Sequence, residues 1–179
     1  MKKSLWLWQL GGFIFTAIAG VILHFLFGWT NESVFVAPFS AVNESIWEHM
    51  KLLFFPMLIF AIIERRYIGK VYEDFWCAKL IGIMLGIVLI PVLYYVINGV
   101  FGPTPDWINI AIFFVSVAVG YYAETRILKD NLINCKSPSK ALALLILIGV
   151  IFMVLTFITP QIPLFEDPIT KTYGYWKSI

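Results

Sequence analysis

Five long apolar stretches fix most of what this chain can become. In order they run from about Leu5 to Gly28, Ile46 to Ile63, Cys77 to Val100, Trp107 to Ala123 and Ala141 to Thr159. Each is close to the roughly 20 helical residues that cross a hydrocarbon core. Only 13% of the 179 residues are charged and 60% are hydrophobic, where a soluble domain would carry roughly 25% charged residues. Such a chain has too little polar surface to coat a globule in water. The expectation is an all-α, multi-pass bundle of five transmembrane helices spanning residues 1–160, with the lipid bilayer of a plasma membrane as its surroundings. An aromatic, Pro-rich tail over 161–179 is too polar to span. No run of Lys and Arg forms a nucleic-acid patch, and no Gly-rich phosphate loop is present.

The basic residues orient these spans. Lys2 and Lys3 precede the first; Arg65, Arg66, Lys70 and Lys79 separate the second from the third; Arg126, Lys129, Lys136 and Lys140 separate the fourth from the fifth. The other side keeps only Lys51, Lys171 and Lys177. By the positive-inside rule the N-terminus is cytoplasmic and the C-terminus is outside. Cys77 and Cys135 then fall on the reducing side and read as free thiols. The N-terminal "MKKSLWLWQL…AIAG" also resembles a signal peptide with Ala17 and Ala19 at its cleavage site, but the apolar run continues too far for a signal core, and an uncleaved first span is the favoured reading.

Small residues suggest how the spans pack. Gly12, Thr16, Gly20, His24 and Gly28 step by four along one face of the first span, which puts His24 toward other helices. Gly82 and Gly86, and Ser116 and Gly120, repeat the spacing in the third and fourth spans. Pro56 and Pro91 should kink their helices. Trp107, Tyr121 and Tyr122, together with Glu64, Arg65, Arg66, Glu124 and Arg126, read as interfacial anchors near span ends. Asp106 reads as an N-cap of the fourth span, and Asn98 as a cap or pocket residue.

Ionisable chemistry is concentrated at "FSAVNESIWEHMKLLFFP", residues 39–56. Ser45 and Glu48 have the S-x-x-E spacing of a capping box, in which Glu48 would reach back to the Ser45 amide, and Glu48 could pair with Lys51. Capping leaves Glu44 and His49 unexplained. His24 and His49, the only histidines, sit at matching depth, roughly 6 Å below the outer boundary of consecutive antiparallel spans. The tail could fold over this outer mouth and bring Glu166 and Asp167 with it. The candidate ligand-binding residues are therefore His24, Asn43, Glu44, Glu48, His49, Lys51 and Asp167. His24, His49 and Glu48 are candidate ligands for zinc or another divalent metal, although no HExxH spacing is present. "NES" at 31–33 and 43–45 is formally a glycosylation sequon twice over.

"HFLFGW…FSAVNESIWEHMKLLFFP" and "TPQIPLFEDPITKTYG" together resemble a family of small bacterial integral membrane proteins catalogued as a domain of unknown function. The resemblance covers nearly the whole chain and implies the architecture and a bacterial origin, with no catalytic residues. The family often has Thr-Gly where this chain has Thr170-Lys171, which puts a tight turn there in question.

Three functions compete at this level. The first is a non-enzymatic membrane protein with an extracytoplasmic polar pocket, between the first two spans and under the tail, that binds or moves a small polar or cationic ligand. The second is a metal-dependent, membrane-embedded hydrolase of a lipid headgroup or peptide, with Glu44 or Glu48 as general base. The third is a structural or sensing subunit without a site.

Overall fold

A computed structural model describes residues 2–175. Five α-helices follow one another: α1 (Lys2–Trp29), α2 (Ile46–Tyr67), α3 (Phe75–Phe101), α4 (Asp106–Asp130) and α5 (Pro138–Phe157). All are long and apolar enough to cross a membrane. This is an all-helical multi-pass membrane protein. Among the described residues the sole extended pairing is an isolated antiparallel bridge between Glu166 and Tyr173 in the tail.

α2 is the central helix and touches the other four. Its apolar side chains Leu52, Leu53, Phe54, Phe55 and Met57 are buried around Pro56, which lies inside the helix. Many large apolar side chains of α1, α3 and α5 instead point outward, among them Ile18, Val88 and Leu147. That inside-out distribution suits a lipid surround, where apolar exposure costs nothing.

The small-residue stripes do bring helices together. A Cβ at Gly82 would sit 2.8 Å from Gly120 O, and one at Gly120 would sit 2.9 Å from Gly82 O. The α3 and α4 backbones touch here because neither residue has a side chain. On α1, a Cβ at Gly12 or Gly20 would strike Tyr121, Phe60 or Phe113, and Thr16 hydrogen-bonds the Tyr121 hydroxyl at 2.9 Å. Tyr121 is therefore a buried packing residue and not an interfacial anchor, whereas its neighbour Tyr122 and Trp107 are exposed.

Other expectations are corrected at the helix ends. Cys77 and Cys135 are not free thiols: they form a disulfide, with 5.9 Å between their Cα atoms, that ties α3 to the α4–α5 connection. The Cys135 amide also donates to Asp74 Oδ1 at 2.6 Å. Glu64 and Glu124 are fully buried rather than anchored at an interface. Lys79 is not a loop charge but a buried α3 residue between them. Asp106 is the first residue of α4, with Pro105 at the cap position and no side-chain cap bond. Asn98 closes the end of α3, accepting from the Thr104 amide and hydroxyl, both at 3.1 Å.

Candidate cation site

The site is built where α1 ends and α2 begins. Ser45 caps α2 in an extended conformation, and its hydroxyl accepts from the Glu48 amide at 3.4 Å. The reciprocal half of the capping box is not made. Glu48 accepts instead from the Val42 amide at 3.1 Å, while the Ser45 amide donates to Asn43 Oδ1 at 2.9 Å. Glu48 turns inward because Lys51, one turn along, is buried with it: Nζ to Oε2 is 2.6 Å, and both side chains are at most 1% exposed. Lys51 also donates to Ala37 O at 2.9 Å and to Thr156 Oγ1 at 2.8 Å. Its three donors are thus spent on α2, the preceding loop and α5.

With Glu48 committed to Lys51, Glu44 takes the position near the imidazoles that sequence reasoning assigned to Glu48. His24 Nε2 lies 3.7 Å from Glu44 Oε1, and His49 Nε2 lies 3.6 Å from Glu44 Oε2. The imidazole centroids are 5.4 Å apart. One ligand atom from each residue falls within 4.8 Å of the other two. The histidines are about a quarter exposed and Glu44 is 44% exposed. The trio therefore borders the surface at the helix ends.

Two features of the trio bear on metal binding. The Nε2–carboxylate separations are too long for direct hydrogen bonds, yet close to the roughly 3.3 Å between ligands on a tetrahedral zinc with bonds of about 2.0–2.1 Å. The second feature is the orientation of His49. Its Nδ1 lies 2.8 Å from Ser45 O, which can only accept, so Nδ1 carries a proton and Nε2 is the nitrogen that faces Glu44. A backbone carbonyl behind the ring is the usual support for a metal-ligating histidine. His24 Nδ1 is buried without a hydrogen-bond partner among the described residues, so no such bond fixes its tautomer.

The tail holds Glu44 in place. Asp167 Oδ2 accepts from the Glu44 amide at 3.2 Å, and Asp167 Oδ1 accepts from Ile169 and Thr170 at 2.7 and 3.0 Å. Burial pushes the Asp167 carboxyl up, but the backbone donors of Thr170, Glu44 and Ile169 outweigh it and hold the group below its ordinary value. Asn43 Nδ2 donates to Gly174 O at 3.2 Å, and the Trp47 amide donates to Leu164 O at 3.1 Å. Asn43 and Asp167 thus position the backbone beside Glu44 without joining the trio. The turn that presents Asp167 is made with Lys171 at φ +60°.

Sequence analysis named Glu44 as a ligand-binding candidate but not as a metal ligand, because it lies before the N-cap, where a side chain's direction follows from the loop and the tail and not from helical periodicity. Sequence reasoning also missed a second ionisable cluster at the opposite end of the bundle, where Lys79 meets Glu64 and Glu124. A signal for it was present. Glu124 is four residues beyond Gly120, and Lys79 three before Gly82, so both extend the small-residue faces that bring α3 and α4 together.

A family described as a family of unknown function (DUF6512) matches residues 1–175. The chain belongs to that family. No curated protein and no solved structure is a match for it. For this DUF6512 member, function has to be argued from the site itself.

Proposed function

We propose that this integral membrane protein binds a divalent transition-metal cation, zinc fitting best, through His24, Glu44 and His49. In the proposed orientation the N-terminus is cytoplasmic, so the site opens on the extracytoplasmic side beneath the docked tail. One observation carries the reading: two imidazoles and a carboxylate offer ligand atoms within 4.8 Å of one another. Mixed nitrogen and oxygen ligands suit zinc, and a hard-cation site would be built from oxygens alone. Three protein ligands leave a position for water or for a passing ligand.

A hydrolase that used Glu44 or Glu48 as its general base would need that carboxylate free to take a proton. In this reading Glu44 is a ligand and Glu48 is held by Lys51, which favours binding or passage of the cation over hydrolysis. The test is elemental analysis of detergent-purified protein kept free of chelators. The wild type should carry about one equivalent of zinc, iron or manganese, and His24→Ala/His49→Ala should lose it while staying folded. Wild-type protein that takes up no metal, even when supplied with zinc, would refute the proposal.

A further inference from the structure

The other end of the bundle holds three charged side chains in an apolar layer. Lys79 Nζ contacts Glu64 Oε2 and lies 2.6 Å from Glu124 Oε2. All three side chains are at most 1% exposed. The titratable groups meeting in this layer are Glu64 from α2, Lys79 from α3, and Glu124 and Tyr121 from α4. From α1 come the neutral Gln9, whose Nε2 donates to Glu64 Oε1 at 3.1 Å, and Thr16, bonded to the Tyr121 hydroxyl. Phe75 and Tyr121 flank the ammonium, each ring centroid 5.4 Å from Nζ.

Charge counting separates this cluster from the other buried ionisable groups. Glu48 and Lys51 are one carboxylate and one ammonium, neutral as they stand. Asp167 is charged but satisfied by backbone donors near the surface. Glu64 and Glu124 are two carboxylates sharing one ammonium. Fully ionised, they would leave a net negative charge on side chains that are buried from solvent. Buried groups in that position take up a proton instead of holding the charge. Two carboxylates that cannot both ionise share a proton between them.

We propose that Glu64, Lys79 and Glu124 form a buried proton-binding site that holds one exchangeable proton between its two carboxylates. Uptake converts one carboxylate to a carboxylic acid and makes the trio neutral. Release returns the proton to water and leaves the trio with one negative charge. Glu124 Oε1, buried with no hydrogen-bond partner among the described residues, is an acceptor available to that proton. Solvent comes close on this side. Leu128 lines a surface recess together with Tyr72, Glu73, Asp74 and Asn131, and it packs in the same buried apolar cluster as Phe75, which covers Lys79. Ionisable groups inside membrane proteins commonly serve as proton relays. The site is independent of the cation site at the opposite end.

Infrared spectroscopy of the full-length protein in lipid or detergent tests this, because a carboxylic-acid C=O stretch is separate from the carboxylate and amide bands. The wild type at pH 7 should show such a band, shifted in D2O and lost reversibly as the pH is raised. Glu64→Gln and Glu124→Gln each leave one carboxylate for one ammonium, so each should lose the band. Lys79→Met should enlarge it about twofold, since neither carboxylate then has a counter-charge. If the variants do not fold, the wild-type pH titration decides alone. No carboxylic-acid band in the wild type at pH 7, or a band that persists in either folded glutamine variant, would overturn the proposal.

Discussion

At the scale of single residues, the decisive event is that Lys51 captures Glu48. The pair is buried and made in one turn of helix, and it frees the imidazoles for Glu44. Lys51→Met would leave the Glu48 carboxylate buried with only the Val42 amide, at a cost of about 3–5 kcal/mol. The double variant Glu48→Gln/Lys51→Met should lose less than the sum of the two single losses, because both charges go together. Thermal unfolding in detergent reads this, and strict additivity would mean the pair is not coupled. Lys171 offers a smaller test. Its φ of +60° is disfavoured for any residue with a side chain, so Lys171→Gly should stabilise the docked tail by about 1 kcal/mol. Its pairing with Glu166 at 3.2 Å is mostly exposed and offsets little of that gain. An unchanged or lowered melting temperature would contradict this. The sequence spacing revealed that Ser45 caps α2 and that Glu48 and Lys51 can meet. It did not reveal that meeting Lys51 removes Glu48 from the histidines, because that choice depends on Ala37 O and Thr156 Oγ1, which only the folded chain supplies.

At the scale of elements, the five helices and the small-residue faces of α3 and α4 were legible because helical periodicity puts residues four apart on one face; that these two faces meet was not. Substituting Leu for Gly120 should separate α3 from α4, since a Cβ there already meets Gly82 O at 2.9 Å. The docking of the tail was only partly legible. Its polarity and prolines said that it does not span, but the bonds from Asp167 to the Glu44 amide and from Asn43 to Gly174 O cross more than a hundred residues of sequence. Asp167→Asn should loosen Glu44 and weaken cation binding by about 10–100-fold, the usual effect of removing a group that supports a metal ligand. Binding unchanged within twofold would show that the tail does not position Glu44. Because the Asp167 carboxyl is held below its ordinary value, its contribution is fully present above the ordinary aspartate range and is lost as pH falls through its lower folded value. Amide exchange of Ile169 and Thr170 should stay protected at mildly acidic pH and speed up, relative to the unfolded chain, only below that range.

At the scale of the whole molecule, two features press the same end in opposite directions. In the proposed orientation the basic residues of the α2–α3 and α4–α5 connections put that end in the cytoplasm, while the Cys77–Cys135 disulfide is a bond more usual in oxidising compartments. The charges outweigh the single disulfide in this proposal, since several basic residues outside the buried cluster act together there. After reduction, a membrane-impermeant thiol reagent should label Cys77 and Cys135 in inverted vesicles and not in intact cells. Labelling in intact cells would reverse the orientation and turn the cation site inward. The disulfide was hidden from the sequence because its partners are 58 residues apart and meet only when the α4–α5 connection folds back on α3. The buried Glu64–Lys79–Glu124 cluster was missed for a related reason: each residue lies near the end of its own span, where Glu64 and Glu124 read as anchors and Lys79 as a loop charge until three helices pack together.

The central claim is that one transition-metal ion sits between two helix ends on an imidazole pair and a carboxylate. X-ray absorption at the zinc edge of the purified, zinc-loaded protein tests it most directly. The expected result is scattering from two imidazoles at about 2.0–2.1 Å with oxygen completing the shell, both imidazoles disappearing in His24→Ala/His49→Ala. Zinc held without imidazole, or a spectrum unchanged in the double variant, would contradict it.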